Sequence, residues 1–217
     1  MYSTKLPYDY SLELNDLSDS FVTGKSVAVD TETMGLNYFR DRLCLVQLCT
    51  DTGNNFLVKF DDKNYQATRL KELMVNPNIL KIFHYARFDM VMIKMYLGVI
   101  PHPVYCTKIA SRLSRTYTDS HSLKALCYEL LNVKLNKAQQ SSNWSNNVLS
   151  AEQIKYAISD VMYLHKLKEK LDIILEENGR TELARSCFQF LKSRILLDIT
   201  GWADEDIFSH SSRKDFT

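Results

Sequence analysis

The run Val27-Ala28-Val29 leads straight into Asp30 and Glu32, and this junction constrains the fold more than any other stretch. Small and β-branched apolar residues in a row read as a buried strand, yet an unpaired buried carboxylate is costly and ordinarily neutralises. Residues i and i+2 of a strand face the same side, so Asp30 and Glu32 converge on one point. A bare D-x-E of this kind would be two solvent-facing acids at a strand end. Further acids arriving from elsewhere would turn it into a cation site.

The flanking chain supplies the frame. Apolar runs at 26–32, 42–50 and 54–60, closed by Asp, Gly or Asn, read as strands, and Gly53-Asn54 punctuates the last two as a hairpin would. Residues 66–75 have helical spacing up to Pro77, 79–83 is a fourth strand, and 87–98 is a helix ended by Gly98. Beyond Cys106 the periodicity is almost wholly helical, over 107–114, 121–132, 150–178 and 180–197, with Ser150-x-x-Gln153 a capping box for the longest. An antiparallel opening, strand–helix alternation and a helical second half predict an α/β fold, a central mixed β-sheet with flanking helices and a helical C-terminal half. No repeat or linker divides the chain. Residues 1–217 are expected to form a single domain, about 1–24 an N-terminal extension and about 198–217 a C-terminal tail.

Composition excludes several function classes. No run approaches the ~20 apolar residues of a membrane span, and the N-terminal stretch lacks the basic-then-apolar pattern of a secretory leader. The five cysteines are odd in number and set among apolar residues, so they read as core hydrophobes in a reducing, cytoplasmic compartment rather than as a disulfide framework. With no C-x-x-C pair and no ligand spacing among the histidines, zinc is not expected, and any metal must sit on oxygen. Thr23-Gly24-Lys25-Ser26 ends like a phosphate-binding loop but lacks its first glycine and precedes a strand, so it is a turn. A net charge of +1 rules out a polycation. Even so, 104–124 carries Lys108, Arg112, Arg115 and Lys124 against Asp119 alone, either a solvated helix face or a positive shoulder beside an acidic site.

Further acids do arrive. Asp89 starts the helix after the strand 79–83, where it can reach the sheet end that receives Asp30, although an acid there also suits the helix dipole. Tyr156 and Asp160 are i and i+4 on the long helix, on a face otherwise apolar toward the core. Four carboxylates so placed suit hard cations such as Mg²⁺ or Mn²⁺. Two such ions about 3.5–4 Å apart can clamp the attacking and leaving oxygens of a phosphoryl displacement. Phosphodiester hydrolysis follows as the expected chemistry. Tyr156, with an ordinary pKa near ~10, would orient water rather than act as a strong base.

The order D-x-E, F-D, Y-x-x-x-D resembles the DEDD exonuclease superfamily in its Tyr-bearing, RNase D branch. The resemblance implies a ribonuclease H-like fold, two divalent metal ions on Asp30, Glu32, Asp89 and Asp160, catalysis with Tyr156, and release of nucleoside 5′-monophosphates from a 3′ end. His84 stands where many relatives carry a substrate-contacting Asn, and Thr31 and Phe88 sit inside the same motifs as substrate positions. The stretches "DRLCLVQL", "KIFHYARFD", "VYCTKIASRLSRTYTDSHSLK", "QQSSNWS" and "FLKSRILLDITGW" are similar to the nanoRNase C family of short RNase D relatives. That family implies very short RNA as substrate, dinucleotides above all, with short DNA a further candidate, and a homo-oligomer, an octamer. The additional helical domains of long RNase D enzymes are not expected in the 57 residues that follow Asp160.

In related short-RNA exonucleases the position of Leu36 wedges between the last two bases; a buried turn leucine is the competing reading. Lys137, Gln140, Ser142 and Trp144 match the K-x-x-Q-x-S-x-W stretch of RNase D relatives: Lys137 and Gln140 as phosphate or sugar contacts, Trp144 as a base stacker or as loop packing. Arg112, Arg115 and His121 are the local donors for a 5′ phosphate, unless they only pair with Asp119 or with neighbouring subunits. The expected function is a metal-dependent 3′–5′ exoribonuclease on very short RNA. An RNase D-type trimmer of longer RNA and an inactive nucleic-acid-binding module are the alternatives.

Overall fold

The computed structural model describes residues 9–61, 64–136, 139 and 142–210. Among the described residues six strands, β1 (Tyr10–Leu14), β2 (Ser26–Thr33), β3 (Leu43–Thr50), β4 (Asn55–Lys59), β5 (Leu80–Phe83) and β6 (Val104–Cys106), form one sheet in the order β1-β4-β3-β2-β5-β6. The β2–β3 and β3–β4 pairs are antiparallel, and the β1–β4, β2–β5 and β5–β6 pairs are parallel. The helices are α1 (Thr68–Val75), α2 (Ala86–Leu97), α3 (Thr107–Ser114), α4 (Leu123–Leu131), α5 (Ala151–Val161), α6 (Leu164–Glu177) and α7 (Thr181–Ile199).

Every residue of β3 is buried, as expected of a central strand covered on both faces. Side-chain alternation sorts the core into layers. Val27, Val29, Val46, Leu48 and Val58 join Leu70 of α1, Met90 of α2 and Leu191 of α7 on one face. Ala28, Cys49 and Ile82 turn the other way, toward Leu126 of α4 and Leu167 and Leu171 of α6. On that second face Leu45 and Leu57 meet Ile154, Ala157 and Ile158 of α5.

Three elements differ from the sequence reading. The stretch 150–178 is two helices, because the apolar stripe of α5 packs on β3 while that of α6 packs with α4, and one straight helix cannot serve both. The N-terminal segment contributes β1, an edge strand whose short Tyr10-Ser11-Leu12-Glu13-Leu14 alternation the sequence reading placed in an extension; its apolar residues face outward and are exposed. Strand β6 has only three residues. The capping box of α5 is present with both of its bonds: Ser150 Oγ accepts from Gln153 N at 3.2 Å and Gln153 Oε1 from Ser150 N at 2.9 Å.

The turn before β2 is held by Asp51, whose carboxylate accepts from the amides of Gly24 and Lys25 at 2.9 and 2.8 Å. A Cβ at Gly24 would lie 2.3 Å from that carboxylate, which would have to shift and weaken its hold on the turn. Among the described residues no helix is long and apolar enough to cross a membrane.

Candidate active site

Asp30 and Glu32 continue the alternation of Ala28, which places them on the sheet face that α5 covers. Tyr156 and Asp160 stand one turn apart on α5 and approach the same end. Asp30, Glu32 and Asp160 thereby bring one ligand oxygen each to within 4.8 Å of one another. Burial raises the Asp30 carboxyl well above the ordinary carboxylate range, with Asp89, Asp160 and Glu32 pushing the same way. Burial, then Asp160 and Asp89, does the same to Glu32. Three crowded carboxylates, two of them strongly desolvated, are the donor set a hard divalent cation takes.

Asp89 arrives differently. Thr31, between the two acids, points to the opposite face, toward α2, and its Oγ1 donates to Asp89 Oδ1 at 2.7 Å. Asp89 is buried, and burial pushes its carboxyl up to about 7. It lies outside the 4.8 Å set but within the electrostatic reach of Asp30 and Glu32. Three of the four expected ligands therefore meet directly, and the fourth is held beside them by Thr31.

Burial, followed by Asp160 and Glu32, pushes the Tyr156 phenol far above its ordinary value. That direction favours the neutral hydroxyl, which can donate to, accept from and so orient a neighbouring water. The neutral role assigned to it from sequence is compatible with this environment.

A pH dependence follows from the raised carboxyls. A group whose folded pKa lies above its unfolded one contributes stability at low pH, and that contribution is lost as pH rises through the folded value. For Asp89 the window runs from about 4 to about 7. Metal-free protein is expected to lose several degrees of Tm across it, at ~2–4 °C per kcal/mol for a chain of this size, and Mn²⁺ should restore most of the loss at neutral pH. Thermal unfolding in a chelator across pH checks this; a Tm that climbs from pH 4 to 7 would contradict it.

The expected substrate contacts fall into two groups. Leu36 is 84% exposed on the loop after β2, so it is not a buried turn leucine. That loop is organised by Asp41, which accepts from Asn37 N at 3.0 Å and lies so close to Gly35 that a Cβ there would meet it at 2.3 Å. Arg40 and the Asn37 amide hold the Asp41 carboxyl down at about 2. His84 and Phe88 are half-buried at the entry to α2, with His84 Nδ1 2.9 Å from Thr107 Oγ1. Arg112 is exposed and His121 half-buried, its Nδ1 2.8 Å from Ser111 Oγ.

Arg115 and Trp144 are enclosed. The Arg115 side chain is fully buried, paired with Glu129 and bonded to Ser111 Oγ and Ser120 O, both at 2.9 Å; a phosphate would reach it only by displacing Glu129. Trp144 is 1% exposed, its ring 6.1 Å from that of Tyr156, and a base could stack on it only by displacing the loop or Tyr156. Lys137 and Gln140 lie outside the described residues.

The sequence profile described as "3′-5′ exonuclease" matches residues 8–176. The structure of Brucella melitensis NrnC bound to pGG superposes with a TM-score of 0.89 at 47% identity, covering 94% of this chain and 100% of that one. The chain belongs to the 3′–5′ exonuclease family, in its NrnC branch. A second Brucella melitensis NrnC structure, with bound Mg²⁺, matches at 46% identity and a TM-score of 0.88 over 94% and 100% of the two chains. Among curated proteins, Ribonuclease D of Bartonella henselae is 35% identical over 155 residues, 71% of this chain and 38% of that one. The chain spans well under half the length of the Ribonuclease D relatives it matches. Within this exonuclease, Gln47 escaped the sequence reading: its Nε2 donates to Asp30 Oδ2 at 2.6 Å. A single polar residue in the otherwise nearly apolar run of β3 was the signal for it.

Proposed function

We propose that the chain is a metal-dependent 3′–5′ exoribonuclease that hydrolyses very short RNA, 5′-phosphorylated dinucleotides in particular, to nucleoside 5′-monophosphates. The observation that carries the reading is the convergence of Asp30, Glu32 and Asp160 beside Tyr156, in a chain alike over nearly its whole length to a nuclease bound to pGG. Asp30, Glu32 and Asp160, with Asp89 beside them, would hold divalent ions, Mg²⁺ or Mn²⁺ and two in number. Such ions would polarise the scissile phosphoryl group and lower the pKa of the attacking water.

The protein's own groups do the rest. Tyr156, neutral, orients the attacking water, and Thr31 keeps Asp89 turned toward the acidic centre. Leu36, exposed at the site end of β2, offers an apolar wedge to the terminal bases, with Met34 and Phe39 also exposed on its loop. Arg112 is an exposed arginine of the basic segment and is suited to a 5′ phosphate. The cytoplasmic reading rests on five free cysteines. The homo-oligomer reading rests on Trp202, Ile207 and Phe208, exposed after α7. An inactive binding module would have no use for so costly an acidic cluster.

The Ribonuclease D relatives keep a second reading in play, a trimmer of longer RNA. Purified protein with Mn²⁺ on labelled RNAs of graded length separates the two: kcat/KM should be highest on the 5′-phosphorylated dinucleotide. Arg112→Ala should lower that preference about tenfold, the value of a hydrogen bond to a charged group, while slowing a longer RNA less. Equal rates on short and long RNAs would restore the trimmer.

A further inference from the structure

Strand β3 reads Leu43-Cys44-Leu45-Val46-Gln47-Leu48-Cys49-Thr50 and is buried throughout. Gln47 is fully buried in it, opposite Asp30 on β2 and Leu57 on β4. Leucine or methionine would fill this place among Leu45, Leu57 and α5 without burying an amide. The amide instead turns Nε2 to Asp30 Oδ2 at 2.6 Å and lies within bonding reach of Glu32, while its Oε1 has no partner among the described residues. Facing two carboxylates, only the donor end of the amide is tolerable, so the orientation is forced by charge.

We propose that Gln47 is a positioning residue for the metal centre, clamping Asp30 and Glu32 from behind so that their remaining oxygens face the cation. The inference rests on the metal-dependent reading above. A neutral donor suits the task. A lysine or arginine there would neutralise the acids and compete with the ion, whereas an amide fixes their rotamers and leaves their charge available. Partners behind a ligating carboxylate typically change metal affinity ~10–100-fold when lost.

The test uses Gln47→Leu and Gln47→Met, which keep bulk and remove the donor. Mn²⁺ binding to the substrate-free protein is read by electron paramagnetic resonance or calorimetry, with circular dichroism as a check of fold. Wild-type protein should bind Mn²⁺, and both variants should bind it about 10–100-fold more weakly. The rate they lose at low Mn²⁺ should return as Mn²⁺ is raised, with KM for RNA unchanged, a rescue that a merely structural role would not produce. Affinity within twofold of wild type in a folded variant overturns the role of Gln47 and leaves the metal centre standing. Loss of fold in both variants overturns it too, by showing that the amide supports the sheet rather than the ligands. A wild-type protein that binds no Mn²⁺ overturns the metal centre itself, and this inference with it.

Discussion

Asp30→Asn and Asp160→Asn are each expected to abolish hydrolysis of a short RNA at saturating Mn²⁺ while the chain stays folded. Both residues contribute an oxygen to the 4.8 Å cluster, and both substitutions are nearly isosteric. Charge stabilisation by a bound metal is worth several kcal/mol in the transition state, which at ~1.36 kcal/mol per tenfold corresponds to a fall of about 10³ or more. Stability should move the opposite way. Desolvation and the neighbouring acids raise Asp30, so removing one like charge relieves the metal-free state, and Tm in a chelator should hold or rise. Hydrolysis near the wild-type rate in either variant would falsify the carboxylate assignment.

Tyr156→Phe is the second large effect, and it should fall on kcat. The ring keeps its place on α5 near Trp144, so binding contacts survive, but the hydroxyl proposed to orient the attacking water is gone. Contributions of this kind run ~10²–10⁴-fold, and an interaction made only in the transition state lowers kcat and kcat/KM together. Steady-state kinetics on a dinucleotide check this. An unchanged kcat with a raised KM would reassign Tyr156 to substrate binding.

The acidic site was legible because its geometry is local. Period 2 puts Asp30 and Glu32 on one face of a strand, and i, i+4 spacing puts Tyr156 and Asp160 on one face of a helix. No packing partner is needed to know either. The Ser150–Gln153 box was legible for the same reason: a cap is written in four consecutive residues. Arg115 was not. Its sequence neighbours suggest an open basic stripe, whereas Glu129, fourteen positions on, takes its guanidinium out of solvent. Nor was the break between α5 and α6, which depends on two different layers claiming the two halves of one apolar stripe.

By itself, then, the sequence determined the α/β class, the identity of the acids and the tyrosine, and the faces on which each pair stands, because strand and helix periods depend only on the backbone. Tertiary structure alone decided that Asp30, Glu32 and Asp160 close to 4.8 Å while Asp89 waits behind Thr31, and that Gln47 stands under Asp30. Those distances are set by how β3, α2 and α5 pack around β2, and packing is a property of residues far apart in the chain.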